Sequence, residues 1–126
     1  MFSHIVLGAN DLAASKKFYD ALFTAIGGEP GGQQPGTNRV FYMHNGGALM
    51  ITTPINGEPA THANGGTIGF KMDSPEQVHA WHDAGCAAGG TTCEDAPGER
   101  DMGAYKLYLA YLRDPAGNKL CAMYQG

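Results

Sequence analysis

The two halves of this chain present the same succession of local signals, and that repeat limits the available folds more than any other feature. Residues 2–9 (FSHIVLGA) form a β-branched and aliphatic run that reads as a strand, and residues 67–72 (TIGFKM) read the same way. A helix start follows each run. Asn10-Asp11 can cap a helix over about residues 12–25. Ser74 caps a second one, with Pro75 at its first position and Gln77 placed to reach back. At three-to-four spacing, the inward stripe of the first helix is Leu12, Ser15, Tyr19, Leu22, Phe23 and Ile26. That of the second is Val78, Trp81, His82, Gly85 and Cys86. Paired glycines end both helices, at 27–28 and 89–90.

Each half then closes on a hairpin. Residues 39–44 and 48–53 flank Asn45-Gly46, a pair that tolerates the positive φ a tight turn requires. Residues 105–112 and 119–124 flank Asp114-Pro115-Ala116-Gly117-Asn118, another run of turn residues. Short strands are expected within 29–38 and 91–93. The offsets agree: His4 and Thr67, Asp11 and Ser74, and Phe18 and Trp81 are each 63 residues apart, while the hairpin turns are 70 apart. Seven residues are therefore inserted in the charged loop 94–104. The predicted fold class is α+β, built from two βαβββ modules. Module one covers about 1–54, a polar linker 55–66 follows, and module two covers about 67–126, all within one domain.

Composition narrows the function classes. With 126 residues, 43% of them hydrophobic, the chain can bury one core. A net charge of −4 and the lack of any basic run argue against nucleic acid or an anionic membrane as partner. No apolar stretch approaches a membrane span, and the N-terminus lacks the layout of a signal peptide. Cys86, Cys93 and Cys121 are odd in number and form no CxxC, so reduced thiols and a cytoplasmic setting are expected.

Three pieces of sequence carry a resemblance: His4 on the first strand, Asn10-Asp11-Leu12-Ala13-Ala14-Ser15 followed by Phe18-Tyr19, and the 114–118 turn before the last strand. Together they make the chain resemble the vicinal oxygen chelate superfamily, which includes glyoxalase I, bleomycin-resistance proteins, fosfomycin-resistance enzymes and extradiol dioxygenases. The resemblance implies a concave, mostly antiparallel sheet around a cavity, with the helices outside. It also implies a homodimer and a small-molecule ligand. In many members a divalent metal (Zn, Ni, Mn or Fe) binds two oxygens of the substrate. The four family ligand positions fall on His4, near Ile51, on Thr67 and on Cys121, and His4 alone matches the usual ligand chemistry. Glyoxalase I also needs a carboxylate base, and the two positions that would supply it hold Ile51 and Cys121. The implied function is a glyoxalase-like enzyme of unassigned substrate without an intact metal site. The alternative is a protein that sequesters a small molecule without turnover, as bleomycin-resistance proteins do.

The candidate cavity residues are His4, Thr67, Arg100, Tyr105 and Cys121, with His4 the one candidate metal ligand. Arg100, in the inserted loop, could clamp a carboxylate or phosphate with its planar fork, or belong to a solvated charge cluster. Arg39 and Lys71 carry the same two readings. Cys121 is either a small buried apolar residue or a thiol that a nearby cation would have to activate. His79 and His82 have the spacing of a metal pair, but no third ligand completes it, and Trp81 between them suggests a packing face. His62 lies in the linker and His44 beside a turn, where histidines are commonly solvated. The sheet aromatics and methionines, including Tyr42, Met50, Tyr108 and Tyr111, should divide between a core face and a cavity face.

Overall fold

A computed structural model describes all 126 residues. Module one runs β1 (Ile5–Gly8), α1 (Leu12–Ala25), β2 (Gly32–Gln33), β3 (Arg39–His44) and β4 (Gly47–Thr52). Module two runs β5 (Ile68–Lys71), α2 (Pro75–Ala87), β6 (Thr91–Thr92), β7 (Gly98–Asp101), β8 (Lys106–Arg113) and β9 (Lys119–Tyr124). The α+β class and the repeated βαβββ order agree with the sequence. The inserted stretch does more than loop: it supplies β7, which pairs antiparallel with β8 and is tied across by Lys106 to Glu99 at 3.4 Å.

Each module builds its own sheet. The strand orders are β1-β4-β3-β2 and β5-β9-β8-β6, with β7 also on β8. The first strand of each module pairs parallel with the last, β1 with β4 and β5 with β9, and the other pairs are antiparallel. No ladder joins the sheets, so β1 and β5 each keep one unpaired edge.

The helices begin where the caps predict. The Asp11 side chain accepts from the Ala14 N–H at 3.0 Å, and Ser74 Oγ accepts from the Gln77 N–H at 3.1 Å. Gln77 reciprocates by accepting from the Asp73 N–H at 2.6 Å. Each such cap stabilises its helix by about 1 kcal/mol. Helix α1 buries Ser15, Phe18, Tyr19, Leu22 and Phe23, and α2 buries Val78, Trp81 and Gly85. These side chains join those of β3, β4, β8 and β9 in one core that spans both modules. Gly85 marks the close approach: a Cβ there would stand 2.3 Å from Leu112 Cδ1 and 3.0 Å from Leu22 Cδ2. That contact centres the inner face of α2 on Gly85 and turns His82 and Cys86 away from it. Cys86 is exposed, and His82 is half-buried against Thr92 Oγ1 at 2.9 Å.

The 114–118 turn fastens the modules together. Asp114, 4% exposed, accepts through Oδ1 from the Ala116 and Asn118 N–H groups at 2.9 and 2.8 Å. Its Oδ2 accepts from the Tyr19 hydroxyl of α1 at 2.5 Å and from Asn118 Nδ2 at 2.8 Å. Asn118 Nδ2 also donates to the Gly8 carbonyl of β1 at 3.0 Å. The linker is pinned as well. Ala60 exchanges two hydrogen bonds with the Asn10 side chain, and its Cβ fills the space that a side chain at Gly8 would need. The His62 ring lies against Gly117, whose φ is 94°.

Candidate functional site on the open sheet faces

Strand alternation sorts each sheet into a helix-covered face and an open one. In the first sheet Ile5, Leu7, Val40, Tyr42, Leu49 and Ile51 belong to the core or pack against it. The alternate positions, among them Arg39, Phe41, Met43, Val6 and Met50, form the open face, with His4 one step before β1. In the second sheet Ile68, Phe70, Ala110, Leu112, Leu120 and Ala122 face the helices. Gly69, Lys71, Arg100, Leu109, Tyr111, Lys119, Cys121 and Met123 alternate with them. Leu109 and Cys121 are buried, yet neither joins the core cluster.

This register corrects one expected position. Ile51 is fully buried between Leu7 and Val40 and belongs to the core. Val6 pairs with Met50 as Gly69 pairs with Cys121, so the counterpart of Cys121 is Met50, 71 residues earlier (121 − 50). Counting from turn to turn gives 70. The difference arises because Asn45-Gly46 closes its hairpin with two residues, whereas the second hairpin uses the five of 114–118.

On the second open face one cross-strand row runs Gly69, Cys121, Tyr111, Cys93. Gly69 pairs with Cys121 and Cys121 with Tyr111, while the Cys93 N–H donates to the Tyr111 carbonyl at 3.4 Å. Nothing lies within 4 Å of where a Gly69 Cβ would be, so a shallow trough opens beside the thiol. Lys119 stands 5.1 Å from the centre of the Tyr111 ring and pairs with Glu94. The Arg100 guanidinium is held by three carbonyls, those of Gly98, Asp95 and Ala96, at 3.0, 3.2 and 3.1 Å. The Cys121 thiol donates to the Ala122 carbonyl at 3.6 Å, and burial pushes it up from its ordinary value, with the neighbouring Tyr111 hydroxyl acting in the opposite direction. Burial likewise raises the Tyr111 phenol, and Cys121 adds to the shift. Both groups are therefore protonated near neutral pH and act as donors.

Of the residues named from sequence, Cys121 and Arg100 share this face. Thr67, exposed, lies one step before β5 on the same side by alternation. His4 belongs to the other sheet; it is exposed and bonded to Ser3 Oγ at 2.8 Å. Tyr105, 51% exposed, sits at the tip of the β7–β8 hairpin, where its carbonyl accepts from the Met102 N–H. Sequence reading counts Tyr111 only among the sheet aromatics and passes over Gly69, Lys119 and Glu94. Stepping across the hairpin from Cys121 would have found Tyr111. No group of three or more His, Cys, Asp or Glu side chains is placed to hold a metal ion. His79 and His82 do not converge: the first is bonded to the Tyr108 hydroxyl at 2.6 Å, the second to Thr92. A second crevice of about 450 Å³ opens between the modules on the helix side, lined by Ile5, Phe23, Ile26, Ile68 and Phe70, with Gly69, Lys71 and Asp73 also bordering it.

Two βαβββ modules, each with a helix over one sheet face and the other face open, define the glyoxalase class of fold. The chain belongs to the Glyoxalase/Bleomycin resistance protein/Dioxygenase superfamily, whose model matches residues 1–122. It is similar to a glyoxalase/bleomycin resistance protein from Albidiferax ferrireducens T118, at 58% identity over 99% of each chain and a TM-score of 0.93. A glyoxalase-related enzyme from Fulvimarina pelagi is 25% identical, over 99% of this chain and 88% of that one, with a TM-score of 0.73. Lactoylglutathione lyase from Agrobacterium tumefaciens shares the fold at 24% identity, over 98% of this chain and 92% of that one, with a TM-score of 0.68. A comparison with curated proteins found no match. No helix is long and apolar enough to cross a membrane.

Proposed function

We propose that this chain is a glyoxalase-like enzyme of unassigned substrate that works without the divalent metal centre common in its superfamily. One observation carries the reading. At the four positions where the resemblance, corrected for register, puts metal ligands stand His4, Met50, Thr67 and Cys121, offering an imidazole, a thioether, a hydroxyl and a buried thiol. That set does not fit Zn, Ni, Mn or Fe, which bind through about three imidazole, carboxylate or thiolate donors. The chemistry then rests on Tyr111 and Cys121. The Tyr111 phenol can hydrogen-bond a substrate oxygen and stabilise negative charge that develops on it, and the Cys121 thiol, which donates to the Ala122 carbonyl at 3.6 Å, lines the floor beside it.

A second reading, sequestration without turnover, draws support from the scarcity of bases: no strand position on either open face holds Asp or Glu, and the Glu94 carboxylate nearby is paired with Lys119. We also propose a homodimer. The unpaired edges of β1 and β5 and the exposed Val6, Phe41, Met43 and Met123 of the open faces support it. A cytoplasmic setting is supported by three cysteines that are all free thiols.

Metal analysis of the purified protein, paired with native mass spectrometry, tests the reading. Substoichiometric Zn, Ni, Mn and Fe are expected, together with no formation of lactoylglutathione from the glutathione hemithioacetal of methylglyoxal. Stoichiometric metal that is lost in His4→Ala would sink it. A bound small molecule that is returned chemically unchanged would favour sequestration.

A further inference from the structure

The chain is acidic, yet its open faces are not. Five of its eight lysines and arginines lie there, Arg39, Lys71, Arg100, Arg113 and Lys119, including every arginine in the sequence. Ion pairing sharpens the contrast. The three salt bridges are Lys16–Asp20, Lys106–Glu99 and Lys119–Glu94. Of the five cations left without a carboxylate partner, only Lys17 is off the open faces. Of the acidic side chains, Glu94 reaches the second of these faces and is paired there with Lys119; no strand position of the open faces holds another, and at physiological salt charges farther than about 8 Å are largely screened. The local field over these faces is therefore positive.

On the second sheet the cations surround the trough. Arg100 is on β7 and Lys71 on β5, at opposite sides of the sheet, with β8 and β9 between them. Three strand spacings across the sheet and two residue steps along it separate their backbones by roughly 16 Å, and the Arg100 side chain is drawn back along β7 to the carbonyls of residues 95–98, while Lys71 is free to lean over the face. Arg100 has five N–H donors, of which three go to backbone carbonyls. Those three bonds fix the plane of the guanidinium without neutralising it, and two donors stay free.

We propose that the open face of the second sheet binds a small-molecule oxyanion, a carboxylate or a phosphate, on Arg100, with the body of the molecule over Tyr111 and the Gly69 trough and Lys71 as the opposite wall. The proposal rests on the functional reading above and narrows it to a substrate class. It excludes cationic ligands, which would meet unpaired charge of their own sign.

The test is a titration of the ¹⁵N-labelled full chain, followed through the backbone amides, with benzoate, phenyl phosphate, benzamide and benzylamine. Benzoate and phenyl phosphate should shift Cys93, Tyr111 and Cys121, none of which lines the crevice. Benzamide, the neutral counterpart of benzoate, should bind about tenfold more weakly, and benzylamine more weakly still. The tighter of the two anions assigns the headgroup. Raised salt should weaken the anions and leave benzamide unchanged. Arg100→Gln should bring benzoate to the level of benzamide. Since it could loosen the 95–98 loop, Lys71→Gln, at an exposed site without a partner, serves as the second variant and should weaken the anions alone. Equal binding of benzoate and benzamide at these amides would overturn the oxyanion assignment while leaving the site itself standing. No shift on the open face with any probe, or shifts confined to the crevice at Ile5, Ile68 and Phe70, would overturn both.

Discussion

Removing the Asp114 carboxylate should be among the most destabilising single changes in this protein. In Asp114→Ala four hydrogen bonds are lost, from two turn N–H groups, Asn118 Nδ2 and the Tyr19 hydroxyl. Water can replace some of these at Ala116, which is only half-buried. It cannot reach the Tyr19 hydroxyl, whose residue is 0% exposed, so that donor is stranded. A stranded buried donor costs about 1–3 kcal/mol, and bonds to a charged acceptor contribute about 1.5–3 kcal/mol each without being additive. The sum, discounted for overlap, is about 3–5 kcal/mol, a fall in Tm of roughly 10–20 °C for a chain of this size. Tyr19→Phe removes a single bond and leaves the carboxylate three donors, so it should cost about 1.5–3 kcal/mol. Urea unfolding of both single variants and the double variant would measure this. Because Tyr19 and Asp114 are partners, the double variant should lose at least about 1 kcal/mol less than the two single losses combined. Additivity within about 0.5 kcal/mol, or an Asp114→Ala loss below about 1 kcal/mol, would show that the turn does not fasten the modules.

Other outcomes follow from the same structure. Burial and Asp114 raise the Tyr19 phenol well above its ordinary value, and burial with Asp20 does the same for Tyr42. Their contribution to stability is therefore complete below about pH 10 and is lost as pH rises beyond it, so alkaline unfolding curves should flatten in Tyr19→Phe. Asp20 acts in the opposite direction: burial pushes its carboxyl up, but bonds from Lys16, the Gly31 N–H and Tyr42 together outweigh this and hold it below its usual range, so its contribution holds above about pH 4 and fades as acid protonates it. Gly85→Ala gains about 1 kcal/mol of helix propensity but drives a methyl into Leu112, so urea unfolding should show a net loss of about 1–2 kcal/mol. Gly69→Val meets open space, so its stability should stay within about 0.5 kcal/mol of the parent, yet it should abolish the benzoate-induced shift at Cys121. Iodoacetamide should label exposed Cys86 well before Cys121, as peptide mass mapping over time would show.

The elements were legible because their signals are local. A cap three residues from its partner, a glycine pair after a helix and an Asn-Gly turn each act within a few residues, and the structure keeps all of them. The 114–118 turn was read correctly as turn chemistry, but its larger role was hidden: Tyr19 lies 95 residues from Asp114, and nothing in the spacing of either announces the bond. The α2 stripe holds at Val78, Trp81 and Gly85 and departs at His82 and Cys86 for a related reason. Helical period allows Val78, Trp81, Gly85 and their neighbours alike, and only the approach of Leu112 at Gly85 decides which line of side chains faces inward. The candidate site depended on a finer quantity still, the register of two strands across a turn. Strand side chains alternate, so an error of one residue exchanges the open face for the core. Taking the spacing of the turns as the spacing of the strands puts Ile51 in the cavity; the pairing of Val6 with Met50 puts a thioether there and buries Ile51. The same one-residue argument places Arg100 beside Leu107 on the open face and Glu99 opposite Tyr108 on the other. The inserted strand β7 thus sorts its own charges, turning the cation toward the trough and the two acids, Glu99 and Asp101, away from it. A slip of one residue in that strand would reverse the sign of the charge it presents, so the oxyanion assignment stands or falls with the pairing of Arg100 and Leu107.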